Sequence, residues 1–263
     1  MKKAIGRIYI IIIMLFLYLP ILTLIVLSFN DAKSMSVWTG FSLHWYEELF
    51  QSRLMMGAIV NTFSIAILAA LIATIVGTMA VLGMPALRTR TENVLMGINN
   101  IPMLNADIVT GIALMLFFLM IGAPRGYTTI LFSHTVFCVP YVVLSVRPRV
   151  NKNTNKLYEA ALDLGASESY AFRKIVLPEL WPGITSGFLL SFTMSVDDFI
   201  ITYFTRGAGI NTISTLIYSE VKIGIRPSLF ALSTIIFVVA LLVLLIVNIR
   251  QDRAERNALA DIY

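Results

Sequence analysis

Two adjacent carboxylates, Asp197 and Asp198, stand inside an apolar stretch that runs from about residue 183 to 204. An unpaired charge at the centre of a bilayer costs at least about 2.5–3.5 kcal/mol, so acids in such a run need a partner or a purpose. Read as a continuous helix, Ser191, Ser195, Asp198 and Thr202 fall at i, i+4, i+7 and i+11, a polar stripe on one face. Asp197 points about 100° away, where Thr193 is the one polar neighbour among apolar residues. The chemistry this arrangement suits is recognition of a cation. Carboxylates attract positive charge, and the ring faces of Phe199, Tyr203 and Phe204 attract ammonium groups. Asp198 is the expected cation-facing acid, with Asp197, Ser195, Thr202, Tyr203 and Phe204 around it. The structural alternative is that either acid accepts hydrogen bonds from a broken helix end or pairs with Arg206. A third acid, Asp107, stands near the start of another apolar run. Catalysis finds little support: the single cysteine, Cys138, and the two histidines, His44 and His134, form no nucleophile–base arrangement, disulfide framework or metal cluster.

A second constellation lies between residues 147 and 182. Leu157, Ala160, Ala161 and Leu164 recur at i, i+3, i+4 and i+7, one face of a short helix. Asn155 is the expected N-cap, and Gly165 the expected stop in left-handed conformation. A second helical piece is expected from Ser167 to Val176, ending before Pro178. Small residues at 160 and 161 allow another surface to come close. Taken alone, the pattern equally suits a solvated connector lying on a membrane.

The elements that hold these residues must be membrane spans. Of 263 residues, 58% are hydrophobic and 13% charged, where a soluble domain carries roughly 25% charged residues. A bilayer core about 30 Å thick needs about 20 apolar residues in helical form. Six stretches qualify: 7–29, 62–82, 101–121, 128–146, 183–204 and 229–249. The first is too long for the apolar region of a signal peptide and lacks a small-x-small cleavage site, so it reads as a retained helix kinked at Pro20. The net charge of +5 is spread over the gaps between spans, a topology signal and no nucleic-acid face. With the N-terminus inside, cytoplasmic segments hold 14 of the 20 Lys and Arg residues. Both termini and the 147–182 connection are then cytoplasmic. The fold class is all-α integral membrane, a single transmembrane domain over 1–263 with six helices and a cytoplasmic loop. Outside, Trp38, Trp45 and Tyr46 serve as interfacial anchors or partner contacts. Ile213, Leu216, Ile217 and Val221 fit a short outer helix, as packing or as a gate.

Glu159-Ala160-Ala161, Gly165 four residues on, and Ile175-Val176-Leu177-Pro178 resemble the EAA loop of ABC-importer permeases at every fixed position. That resemblance implies the type I (MetI-like) transmembrane fold. It also implies a coupling surface made by Glu159, Ala160, Ala161 and Gly165, with Ile175, Leu177 and Pro178 fixing it to the bundle. No G-x-x-x-x-G-K-[ST] loop occurs in the chain. ATP and Mg would therefore be bound by two cytoplasmic ABC ATPase subunits, and the chain itself would hold no cofactor or metal and catalyse nothing. The stretches 195–204, 42–50 and 223–232 resemble spermidine/putrescine permeases, in particular the second of two paralogous permease subunits. That implies a polyamine substrate, an extracytoplasmic polyamine-binding protein, a paralogous permease partner and a bacterial cytoplasmic (inner) membrane, with no nucleic acid. Asn105-Ala106-Asp107 departs from the Pro-acid pair common in that family. An importer for another solute, such as iron, thiamine or a small organic solute, is the alternative. A secondary transporter would call for inverted-repeat hydropathy, which the chain does not display.

Overall fold

The structure is a computed structural model that describes residues 2–33, 37–150 and 152–242. Among these residues the secondary structure is helical, apart from one isolated bridge between Asn30 and Phe41. In chain order the helices are α1 (Lys2–Ser28), α2 (His44–Gln51), α3 (Arg53–Gly83), α4 (Thr89–Leu104), α5 (Asp107–Met120) and α6 (Tyr127–Val146). There follow α7 (Lys152–Asp163), α8 (Glu168–Ala171), α9 (Leu177–Asp197), α10 (Ile200–Thr205), α11 (Ile213–Ile223) and α12 (Ser228–Leu242). Four helical runs are long and apolar enough to cross a membrane, and the bent pair α4–α5 brings the number to five. The expected sixth span, 229–249, is described only as far as Leu242, as the apolar helix α12. The chain divides into two compact units, Gly57–Leu216 on one hand and the residues up to Met56 with those from Ile217 on the other.

Within the larger unit, α6 packs along α9, and α10 packs on α5 and α6. The buried centre gathers Ala73, Val81, Phe137, Cys138, Val142 and Leu180. Small residues let the helices approach, as lipid-embedded packing requires. On α3, Ala66, Ala69, Ala70 and Ala73 recur at helical spacing and are fully buried. On α9, Gly183 and Gly187 lie one turn apart. A Cβ on Gly183 would stand 2.9 Å from the Ser145 carbonyl oxygen, and one on Gly187 would stand 3.1 Å from the Val142 Cα. The backbones of α6 and α9 are thus in near contact.

Four expectations differ in the structure. The apolar run 101–121 is not one helix: α4 meets α5 at 105°. Pro102 removes a helical donor, and Asn105 and Ala106 are both extended, so the axis turns there. Asp107 begins α5 in its first turn, where a helix N-terminus favours a negative charge. The run 183–204 is likewise interrupted, because Asp198 is extended between α9 and α10. The helical piece from Ser167 does not end before Pro178. Residues Phe172–Val176 form a turn of π-helix, and the chain continues helically from Glu168 to Asp197. The wide turn gives the Leu177 N–H to the Phe172 carbonyl, which keeps the ring of Pro178 clear of the preceding turn. Asn155 does not cap α7 either: that helix starts at Lys152, after Val150 turns extended beyond the Arg147–Arg149 3-10 turn.

In the smaller unit, the outer end of α1 is fastened to the loop after it. The Asn30 side chain donates to the Val37 carbonyl at 2.8 Å and accepts from the Thr39 N–H at 3.1 Å. Trp45 donates from its indole to the Asn30 carbonyl at 2.6 Å and is 3% exposed. Tyr46 shares a 2.8 Å hydrogen bond with Ser28. Trp45 is therefore an internal strut, contrary to the expected anchor or partner contact, whereas Trp38 is exposed. The expected outer helix is present as α11.

Replacing Gly183 by Leu is expected to wedge α6 from α9 and destabilise the protein by about 1–3 kcal/mol, the usual range for overpacking. Thermal unfolding of the detergent-solubilised chain checks this; an unchanged midpoint would mean the two helices are not in backbone contact.

Candidate functional site

The interruption between α9 and α10 exists because Asp198 makes it stable. Its side chain is 5% exposed. One carboxylate oxygen accepts from the Ile201 N–H at 3.2 Å. The other accepts from the Thr202 N–H at 2.8 Å and from the Thr202 hydroxyl at 2.9 Å. Those are the free N–H groups that any new helix presents at its start, so the Asp198 side chain caps α10 from the position just before its N-cap, Phe199. Its own carbonyl accepts from the Ser214 hydroxyl at 2.8 Å, which ties the first turn of α11 to the same point.

A further polar group beside this carboxylate comes from α6. His134 is 1% exposed, and its Nε2 stands 3.3 Å from the Asp198 carboxylate and 2.8 Å from the Thr202 hydroxyl oxygen. Its Nδ1 stands 2.7 Å from the Ser195 hydroxyl. The proton positions follow from an inventory of donors. Thr202 gives its hydroxyl hydrogen to Asp198, so its oxygen must accept from His134, and Nε2 therefore carries a hydrogen. In the neutral ring Nδ1 then accepts from Ser195. Further bonds continue along the same seam: Thr129 donates to the Thr205 carbonyl at 2.8 Å, and Cys138 and Ser191 exchange bonds with each other's carbonyls.

The expected stripe of Ser191, Ser195, Asp198 and Thr202 is thus gathered on one side, and all but Asp198 are fully or nearly buried. It is turned inward, and the broken-helix alternative describes Asp198. Asp197, one residue earlier and at the end of α9, is exposed. Arg206 does not serve the acids: it bonds the Asn211 side chain and lies 5.6 Å from the centre of the Tyr203 ring. Tyr203 also stacks edge-on with Phe204 and is 40% exposed. Phe204 in turn packs against Gly111 of α5, where a Cβ would stand 3.1 Å from its ring. His134 is the residue that sequence reasoning missed. The available signal was an ionisable side chain in the middle of an apolar span; its partners lie about 60 residues away, at no readable spacing.

At the other end of α9, α7 turns back through Gly165, whose φ of +84° is the left-handed value that glycine adopts without strain. The Ala166 N–H bonds the Ala161 carbonyl at 3.0 Å and closes the turn. Glu159 and Ala160 are exposed, Leu157 is 57% and Leu164 90% exposed, and Ala161 is half-buried. Ile175 and Leu177 are half-buried and Pro178 is exposed. The face with the helical spacing of 157, 160 and 164 is therefore left open. Glu92 of α4 pairs with Arg147 at the end of α6 and fastens α4 to the same bundle.

An all-helical membrane bundle with a broken span and a short helical connector is the architecture of a transport permease. The model of the "Binding-protein-dependent transport system inner membrane component" family matches residues 81–257, and the chain belongs to that family. It is 38% identical over 226 residues to the "Spermidine/putrescine transport system permease protein PotC" of Haemophilus influenzae, which covers 86% of this chain and 88% of that one. It is 37% identical to the "Putrescine transport system permease protein PotI" of Escherichia coli K12, covering 94% and 90%. Among solved structures it superposes on a chain of a bacterial ABC transporter that imports the acidic polysaccharide alginate, with a TM-score of 0.74, 14% identity and 95% of both chains covered. It also superposes on the inward-facing MetNI methionine ABC transporter, with a TM-score of 0.58, 18% identity and 78% and 99% covered. The structural likenesses establish the fold.

Replacing Asp198 by Ala removes the cap of α10 and is expected to cost about 0.5–2 kcal/mol. Asp198→Asn, which keeps a capping oxygen, is expected to cost less, and Asp197→Ala nearly nothing. Equal losses at 197 and 198 in thermal unfolding would contradict the assignment of the cap.

Proposed function

We infer that this chain is one membrane-spanning subunit of an ATP-driven importer of polyamines in a bacterial cytoplasmic membrane. The observation that carries this reading is the exposed carboxylate of Asp197 at a break in a membrane span, beside a second carboxylate already satisfied. A charge exposed to lipid there would cost about 2.5–3.5 kcal/mol or more. Facing a water-filled path, the same charge is solvated and meets a passing cation. The carboxyl end of α9 reinforces it, because the last turn of a helix carries unsatisfied carbonyls and the negative end of the macrodipole. Broken membrane helices present their carbonyl ends to cations in the same way. The exposed part of Tyr203 adds a ring face for an ammonium group. A di- or tri-cation fits this set better than an anion, which would call for helix N-termini or arginine. The relatives named for spermidine and putrescine support the same cargo class.

The energy source in this reading lies in partner chains. Two cytoplasmic ATPases bind ATP and Mg2+, and the open face of α7, with Glu159, Ala160 and Ala161, docks on one of them. Gly165 sets the turn, and Ile175, Leu177 and Pro178 fasten the docking segment to α9. A second, paralogous permease completes the path, and an extracytoplasmic binding protein delivers the polyamine.

Uptake of labelled spermidine tests the reading, in cells without their own uptake that express this chain with its proposed partner subunits. Asp197→Asn is expected to lower uptake at least tenfold while the ATPase still co-purifies. Glu159→Lys is expected to lose both uptake and co-purification. Wild-type complex that assembles with the ATPase and moves neither spermidine nor putrescine would overturn the cargo; a wild-type chain that captures no ATPase would overturn the coupling role.

A further inference from the structure

His134 has no role in the reading above, yet it is buried and engaged at both ring nitrogens. It is 1% exposed, and both ring nitrogens are within 2.8 Å of hydroxyl oxygens, Ser195 on α9 and Thr202 on α10. It therefore bridges the two sides of the break from a third helix. Its Nε2, which donates to Thr202, also stands 3.3 Å from the Asp198 carboxylate and so approaches that group from outside α10. A core histidine needed only to fill space would not require three polar partners. A hydrophobic residue of similar volume would fill it without the cost of burying a polar ring.

We propose that His134 is the positioning residue of the break: it holds Asp198 inward on the first turn of α10, so that Asp197 is the carboxylate of the pair that faces the transported cation. The proposal rests on the reading of the break as cation-facing. Asp197 ends α9 and Asp198 is already extended, so the two carboxylates leave the chain in different directions and one of them takes the outward one. Which one does so is decided by where the inward partner sits. On α10 alone, the two N–H groups and the Thr202 hydroxyl would follow Asp198 wherever the short helix turned. The ring fixes that assembly to α6, and through Ser195 it fixes the last turns of α9 at the same distance. His134 thereby sets both sides of the break against one reference. Ser214 adds a tie from α11 to the Asp198 carbonyl, but it constrains the backbone and not the direction of the carboxylate.

The ring acts through Asp198 and never meets the substrate, so its test must read orientation. Cys138 is the chain's sole cysteine. In a Cys138→Ala background, Asp197→Cys is introduced into the assembled complex in lipid nanodiscs. The labelling rate of position 197 is then measured with the cationic reagent 2-(trimethylammonium)ethyl methanethiosulfonate. Position 197 is expected to react readily. Adding His134→Leu is expected to slow it at least tenfold, as the released Asp198 competes for the outward direction. His134→Gln, whose amide both donates and accepts, is expected to restore the rate to within threefold. Ser195→Ala, which removes one of the three partners, is expected to give an intermediate rate even if His134→Leu does not assemble. Thr89→Cys, at the exposed start of α4 in the same complexes, controls for unfolding and is expected to react at an unchanged rate. A rate at 197 that His134→Leu and Ser195→Ala leave unchanged overturns the proposal, as does a loss that His134→Gln does not repair. The readout is independent of the cargo. If labelling follows this pattern and the wild-type complex imports no spermidine, the polyamine reading falls and the positioning role stands.

Discussion

The buried carboxylate of Asp198 is the interaction on which the rest of the larger unit depends. It accepts from two N–H groups and one hydroxyl of α10, with His134 Nε2 of α6 alongside at 3.3 Å, so donors surround the carboxylate in a medium without water. Without it, α10 would be six residues of helix with free N–H groups at membrane depth. So short a helix does not stand alone, because nucleation is unfavourable. It persists through its cap, its bond from Thr129 to the Thr205 carbonyl, and its packing against Gly111 of α5.

Around that point the structure solves a general problem of membrane bundles. Lipid tails are as apolar as leucine, so helices gain little by hiding hydrophobic residues from them. Cohesion has to come from close packing and interhelical hydrogen bonds. Here Gly183 and Gly187 bring α9 against α6, and the seam above them is stitched by Cys138 with Ser191, His134 with Ser195, and Thr129 with Thr205. Glycine contact governs the inner half of the helix pair, polar exchange the outer half.

The same helix runs from the connector to the break. From Glu168 to Asp197 the chain is helical for 30 residues, about 45 Å at 1.5 Å per residue. One end abuts α7, with its exposed Leu157, Ala160 and Leu164; the other is the break. The π turn at Phe172–Val176 is the irregularity along it. π turns are frequent at functional points of helices because they supply an extra carbonyl and a local widening. One helix thus spans the whole distance from the connector to the carboxylates.

The sequence by itself determined the class and the stations of the chain. Low charge and long apolar runs demand lipid, and the distribution of lysine and arginine orients the spans. Gly165 needs its left-handed turn whatever surrounds it. The Glu159–Pro178 pattern and the acid pair were likewise readable, because short-range spacing and residue chemistry are written locally. Tertiary structure alone decided which way the acids face. Hydropathy sums over a window and cannot register that an axis bends by 105° at Asn105 or stops at Asp198, so two runs that read as single spans proved broken. The periodicity that put Ser195, Asp198 and Thr202 on one face was correct about their company and silent about its direction. The deciding partner, His134, comes from another helix about 60 residues away, and no pattern along the chain encodes a contact made only when two helices pack.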